Sequence, residues 1–549
     1  STTVAVPGGS YGRYYTSDIP ITDPVRIVLG KIDADKTSGM TEAELKKLEG
    51  AQFEVKYYAV DPNAYNSDPS ASGIKAIRTW VLQTKYDVAK KNVSAKLYEE
   101  YKVSGDEFYT DNFGEPYFPI GVITIKEIKA PKGYLVSNEV FVRKVTEDGA
   151  DNEVVNTYNA PIVEEVAQKM QIHLQKVDKE TGKAEAQGTG TLKGAVYEVK
   201  DTAGKTVDTL TTDAAGKATS KELPIDTYTV KETKASNGYL LDDKTYTIEG
   251  NATDTTTQVF QYAVTSKEVP QKIQIQLNKV DAENGTAQGA ATLKGAKYEI
   301  RNAKDQVVAT LTTDENGKST SEKLPLGKYT VKETKASYGY LLDDKTYTIE
   351  GNATDTTTQV FQYAVTSKEV PQKIRIELSK LDSELNKGEA QGAATLEGAK
   401  YEIRNSKNEL VETLITDEKG KAISKELPLD QYVVKETEAS NGYLVDENGY
   451  IVEGEAKDTT NRVFKYQIKC PEDIIRGNVE IIKLKENEDE DNDTLQGLEG
   501  VEFTFTSKTT GKEVLKITTD ENGFATTASK EHPRGGLVFD TYIVTETKC

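Results

Sequence analysis

The chain has 549 residues, with 69 Lys and Arg against 89 Asp and Glu, a net charge of −20, two His and two Cys. So acidic a surface repels nucleic-acid backbones and anionic membranes and argues against both as partners. His173, His532, Cys470 and Cys549 are too few for His-based triads or Cys/His zinc sites, so conventional catalysis, metals and other cofactors are not expected. The length suits four or five domains, and abundant Thr, Val and Tyr with a single Trp argues for β structure. No apolar run approaches a membrane span, and Ser1 opens no basic-then-apolar signal, so neither a span nor a targeting peptide is visible.

In chain order, residues 1–24 form a Tyr-bearing leader, "SYGRYYTSDIP". Residues 25–164 read as a first domain: "RIVLGKIDAD" carries Lys31, "MTEAELKKLEG" predicts a short helix, and "LEGAQFEV" a strand. An insertion rich in Tyr and Lys follows around Trp80, then "ITIKEIKAPKGYLV" with Glu127, and "EVVNTYNAP" with Asn156. Four units of about a hundred residues follow, read as 165–269, 270–370, 371–470 and a partial 471–549. The stretch "GNATDTTTQVFQYAVTSKEVPQKI" stands identically at 250–273 and 351–374, so duplication is certain. Lys176, Lys279, Lys380 and Lys483 each close the first strand of a unit.

Within a unit, alternation such as "YTVKET" and "TYTIEG" predicts half-buried strands, and "DENGK" and "DEKGK" predict hairpin turns. Several short strands with almost no helix read as a small β-sandwich. Short "EVPQK" linkers, stiffened by Pro, leave little slack between units, which suggests an elongated rod.

The combination of "KxD" closing the first strand, "GAxY/F" on the next, "IKEIKAPKGY" and "VVNTYN" resembles the CnaB-type (SpaA-type) domains of Gram-positive surface adhesins and pilins, over roughly residues 25–549. The resemblance implies an all-β tandem array of prealbumin-like or Ig-like β-sandwiches. It also implies a spontaneous isopeptide bond between a first-strand lysine and a last-strand Asn or Asp, assisted by a buried acid. Carried over, Lys31 is the nucleophile, Glu127 the proton shuttle and Asn156 the acceptor. Burial fits these roles, since it lowers a lysine's pKa and raises a glutamate's; a simple Lys31–Glu127 salt bridge is the alternative.

The later units keep Lys176 with Glu232, Lys279 with Glu333, Lys380 with Glu436 and Lys483 with Glu546. In this alignment Phe260, Phe361 and Phe464 stand where the Asn should, leaving only a Lys/Glu ion pair in each middle unit. Two alternatives stay open: Asn251 or Asp254, with Asn352 or Asp355 in the next copy, folds back toward the lysine, or Gln258 or Gln261 forms an ester with a Thr. Cys470 and Cys549 bracket the fifth unit, where secretion favours a disulfide between them, against free thiols or pairing elsewhere. The fifth unit stops where its last strands should begin, so a longer protein is expected. "KENEDEDNDTLQG" is either a calcium loop or, more simply, a solvated acidic loop.

The function expected is a stalk or pilus backbone on a Gram-positive cell wall, with self-generated crosslinking as the only chemistry and other pilus subunits as partners. The alternative is an adhesin whose first domain, through its aromatic insertion, binds host extracellular matrix or a glycan.

Overall fold

The computed structural model describes residues 27–36, 38–146, 162–485 and 495–549. Alternation sets the fold. In Lys169–Asp178 the side chains of Met170, Ile172 and Leu174 turn inward and are almost wholly buried, while the residues between them are half-exposed. The same pattern recurs in Lys272–Asp281 through Ile273, Ile275 and Leu277, and in Lys373–Asp382 through Ile374, Ile376 and Leu378.

Each of the three middle domains is a sandwich of two four-stranded sheets. In the second domain, Lys169–Asp178 lies central in one sheet, antiparallel to Lys217–Thr219 and Leu223–Pro224 and parallel to the last strand, Val259–Glu268. The other sheet runs Thr206–Thr211, Val196–Lys200, Thr227–Lys234, Thr245–Glu249. The core between them holds Met170, Ile172, Leu174, Tyr197, Val199 and Val230; each such apolar side chain removed from water contributes about 1.5–3 kcal/mol. The predicted turns form as read. Asp314 accepts from the Asn316 and Lys318 amides, and Gly317 takes φ +75°, which a side chain would oppose.

The first domain uses the same plan. One sheet runs Ile162–Glu165, Ile27–Asp33, Asn92–Lys96, Lys85–Asp87, and the other has five strands centred on Gln52–Tyr58. The predicted helix is Glu42–Lys46, opened by a reciprocal cap between Thr41 and Glu44. The insertion packs on its own domain: Trp80 is wholly buried and contacts the rings of Phe108, Tyr109 and Phe118. Trp80 itself thus belongs to the core of its own domain, as the structural reading of the insertion has it.

Residues 471–549 were read as a fifth domain. Glu502–Ser507 pairs with Glu513–Thr518 and Tyr542–Lys548, and among the described residues no last strand lies parallel to its first. The last strand of the first domain runs through Glu165 and that of the fourth through Glu472, just past the boundaries read from the sequence. The chain divides into two compact units, one reaching to Gln271 and taking in Ala353–Gln359, the other Lys272–Asn352 with Val360–Cys549.

Candidate functional site

The alternation that buries Met170, Ile172 and Leu174 brings Lys176 to the next inward position, and its side chain is wholly buried. Burying an unpaired ammonium is prohibitive, so partners must surround it. From the opposite sheet Glu232 places Oε1 3.1 Å from Nζ, while its Oε2 accepts from the Asp242 amide at 2.7 Å. A second carboxylate comes from the last strand. Lys176 pairs with Ser266, and two residues further on the same face Glu268 places Oε2 3.0 Å from Nζ. The Tyr197 hydroxyl donates to Glu268 Oε1 at 3.0 Å, and Ser266 Oγ also donates to that oxygen.

The third and fourth domains repeat this geometry. Lys279 lies 3.1 Å from Glu333 and 3.0 Å from Glu369; Lys380 lies 3.2 Å from Glu436 and 3.3 Å from Glu472. In the fourth domain Cys470 replaces the serine opposite the lysine, and Tyr401 donates to Glu472 at 2.6 Å. In the first domain Lys31 lies 2.7 Å from Glu127, whose other oxygen accepts from the Ser137 amide at 2.6 Å. Glu165 completes that cluster in contact with Lys31 Nζ. Here Phe53 stands in the place of Tyr197, its ring 4.5 Å from Nζ, and Val163 pairs with the lysine. No donor besides Lys31 reaches Glu165 from the described residues.

Two carboxylates around one ammonium would leave a net charge in a dry core, and holding a proton on one carboxyl relieves it. Burial pushes Glu232 up to about 7 against the pull of Lys176, with Glu268 adding to the rise. Glu472 is likewise raised to about 7, by burial first, and burial also raises Glu333. In the first domain burial lowers Lys31 to about 8 against the opposing influence of Glu127. The first cluster therefore holds an amine shifted toward its neutral form, and those of the second, third and fourth domains each hold a carboxyl shifted toward its protonated form. In all four a second carboxyl touches the amine.

The sequence pattern of the SpaA prealbumin-like fold domain matches residues 30–159, 170–262, 273–363 and 382–467, well over half of the chain. The chain belongs to this family. Among curated relatives, serine-aspartate repeat-containing protein E of Staphylococcus aureus strain N315 is 32% identical over 154 residues, 26% of this chain and 13% of that protein. The bone sialoprotein-binding protein of S. aureus matches with the same identity and coverage. The chain thus spans about an eighth of the length of these relatives. Among solved structures, the Bacillus anthracis TIE protein is 21% identical with a TM-score of 0.44, covering 76% of this chain and 68% of that one. BcpA, the major pilin subunit of Bacillus cereus, is 17% identical with a TM-score of 0.25, covering 55% of this chain and 99% of that one.

Within the SpaA domains the paired residues Lys31/Glu127, Lys176/Glu232, Lys279/Glu333 and Lys380/Glu436 meet as the sequence suggested. Lys483 and Glu546 meet at 2.7 Å, but in a partly exposed setting without a second carboxylate among the described residues. The position assigned to phenylalanine needs correction. Phe260 pairs with Met170 and Phe361 with Ile273, while Phe464 pairs with Ile374, each six residues along the strand from the lysine's partner. At about 3.3 Å per residue that is ~20 Å away.

The residues facing the lysines are Glu165, Glu268, Glu369 and Glu472, which sequence reasoning missed. Their signal was the same alternation, continued from Phe260 through Tyr262, Val264 and Ser266 to Glu268 at the strand's end, in a stretch read as linker. Asn156 lies outside the described residues. Asn251 and Asp254 do not fold back: the Asn251 amide donates to Tyr262, and Asp254 accepts from the Thr256 and Thr257 amides. Asp355 caps Thr357 and Thr358 in the same way, and the Asn352 amide donates to Tyr363. Gln261 bonds His173 and its own strand, not a threonine.

Cys470 and Cys549 are both free. The disulfide does not form because Cys470 is sealed inside the fourth domain at the lysine's register, while Cys549 is exposed and donates to Glu546. The acidic stretch 486–494 and the leader lie outside the described residues, among which no cluster suited to a metal ion occurs. No helix among the described residues is long and apolar enough to cross a membrane.

Proposed function

We propose that this chain is the stalk of a cell-wall-attached surface protein or pilus of a Gram-positive bacterium, and that each complete domain ties its first strand to its last through the buried lysine. The observation that carries this reading is the parallel pairing of those strands, ten residues long in the middle domains, with the lysine and two carboxyls closed between them. Tension entering by one strand and leaving by its parallel neighbour would be borne across this cluster rather than through the sandwich core. Pilus subunits, or the matrix component that the name of one relative specifies, are the partners such a stalk would serve.

The tie is a self-generated isopeptide bond. The neutral amine of Lys31 attacks the side-chain carboxyl carbon of Glu165; a C–N bond forms, a C–O bond breaks, and Glu127 passes protons so that one water leaves. Lys176 with Glu268, Lys279 with Glu369 and Lys380 with Glu472 follow the same balance, served by Glu232, Glu333 and Glu436. Closing a loop of about 90 residues in each middle domain, and about 130 in the first, would stabilise each domain by ~4 to 5 kcal/mol, by analogy with a disulfide.

Intact mass and fragmentation of crosslinked peptides test the tie. Loss of ~18 Da per domain, one water per amide, is expected. A loss of ~17 Da confined to the first domain would return the acceptor role to Asn156, because ammonia would be the leaving group. An unchanged mass would leave ion-paired clamps without covalent closure.

A further inference from the structure

In the second unit, a short segment of one domain is laid against the next. In the third domain Gln288 Nε2 donates to both oxygens of Asp281 at 3.1 and 3.2 Å, and its Oε1 accepts from Lys373 Nζ at 2.8 Å. The following Gly289 passes so close to the Leu429 carbonyl that a Cβ there would come within 2.1 Å of the oxygen. Ala290 donates its amide to that carbonyl, and Ala291 closes on Gly339, where an added Cβ would meet the Ala291 methyl at 2.5 Å. The fourth domain repeats the arrangement: Gln391 bonds Asp382, Ala393 donates to the Phe539 carbonyl, and Ala394 closes on Gly442. Both segments read "AQGAATL", at 287–293 and 390–396.

The first domain has no such segment among its described residues. Ahead of Leu48, the counterpart of Leu293, it has the helix Glu42–Lys46, which brings no glutamine to the joint. All the groups that would receive a segment are nevertheless present. Asp33 stands for Asp281, Lys169 for Lys373, Ile225 for Leu429 and Gly133 for Gly339. They line a cleft of about 590 Å3. At Gly133 an added Cβ would meet nothing within 4 Å. Ile225 is half-buried where Leu429 is wholly buried, and the Lys169 side chain is 36% exposed where that of Lys373 is 10%. Asp33 accepts from Tyr134 and from the Asp35 amide but lacks the carboxamide that bridges both oxygens of its counterparts.

We propose that this cleft is a docking site for an extended segment of a partner protein in which a glutamine is followed by glycine and a small residue. The glutamine would bridge Asp33 and Lys169 through its two ends, as Gln288 bridges Asp281 and Lys373. The glycine would pass the Ile225 carbonyl, where no side chain fits. The small residue would fill the space over Gly133. Recognition combines charge-assisted hydrogen bonds with a steric demand for glycine, a pairing that discriminates against near relatives of the peptide.

The experiment is calorimetric titration of the full chain with the synthetic peptide TAQGAATL, the sequence of residues 286–293. Saturable binding below ~1 mM is expected. Replacing the peptide's glutamine by glutamate, or its glycine by valine, should weaken binding at least tenfold, and so should Lys169→Glu in the protein. Equal binding of all three peptides, or binding unaffected by Lys169→Glu, would overturn the assignment. Absence of binding by the full chain would overturn it too. If a chain lacking residues 1–24 then binds, the leader is the occupant rather than a partner protein.

Discussion

Glu268 Oε2 lies 3.0 Å from Lys176 Nζ because Glu268 follows Ser266, the lysine's parallel partner, by two residues and so shares its face. That relationship recurs with Glu369 and Glu472 and makes the end of the last strand, rather than its middle, the position that governs each domain.

Removing the cation should be costly. Lys176→Met leaves Glu232 and Glu268 facing each other without their shared partner, and breaking a buried cluster by deleting one member costs about 3–5 kcal/mol, before any lost crosslink is counted. Replacing Lys176, Glu232 and Glu268 together by apolar residues, with Tyr197→Phe to match Phe53 of the first domain, should recover most of the loss, since no charge is then stranded. Amide hydrogen exchange along Lys169–Asp178 reads both variants; equal protection in the single variant and the parent would contradict the cluster's role.

The raised carboxyls set a pH dependence. Glu232 and Glu472 titrate at about 7 in the folded domains against an ordinary 4.5, so between those values the folded state binds more protons than the unfolded one. Stability is then fully present below about 4.5 and falls as pH rises through 7, by roughly 2–3 kcal/mol per domain. Consuming Lys176 in an amide would remove the cation that opposes the rise in Glu232, so the sign is unchanged in the second domain, whereas an amide at Glu472 would end its titration and with it the dependence of the fourth. Exchange rates in the second domain should be slower at pH 5 than at pH 7.5 after correction for intrinsic chemistry, and those in the fourth should follow only where Glu472 is uncrosslinked. The opposite order would mean that these carboxyls are ionised in the fold.

Much of this was legible in the sequence because strands obey a period of two. Alternation put Lys176 and Glu232 on strands, the resemblance to CnaB-type domains paired them, and the hairpin at Asp314–Lys318 was spelled by its own turn residues. The register between Lys169–Asp178 and Val259–Glu268 was not, because parallel strands joined through a whole domain carry no turn that fixes their offset. Anchoring on "VNTY" placed Phe260 opposite the lysine, and "EVPQK" was read as linker although Glu268 continues the buried face. The burial of Trp80 was equally hidden, since its ring partners Phe108 and Phe118 lie far along the chain.

The two cysteines should separate by reactivity. Burial pushes the Cys470 thiol up to about 12, and its side chain is wholly enclosed, whereas Cys549 is exposed. An alkylating reagent should label one thiol per chain in the folded protein and two after denaturation, with the native label mapped to Cys549. Native labelling of Cys470 would show that the fourth domain opens at its last strand.

The identity of the repeated "GNATDTTTQ" stretches has a structural reason, which a glutamine at the joint makes testable. Gln372 is almost wholly buried, and its Nε2 donates to the Asp458 and Asn461 carbonyls at 2.8 Å each, within the turn that Asp458 caps. Gln168 does the same for Asp254 and Thr257, and Gln271 for Asp355 and Thr358. The turn in turn receives the Leu342 amide through the Thr459 carbonyl, so one loop is held from two directions. Gln372→Leu keeps the volume but leaves two carbonyls without their donor, at about 1–3 kcal/mol. Exchange of the Leu342 amide should quicken about tenfold or more, while amides of the Lys400–Arg404 strand in the fourth-domain core stay protected. Unchanged exchange at Leu342 would mean that the loop is held by its own Asp458 cap alone.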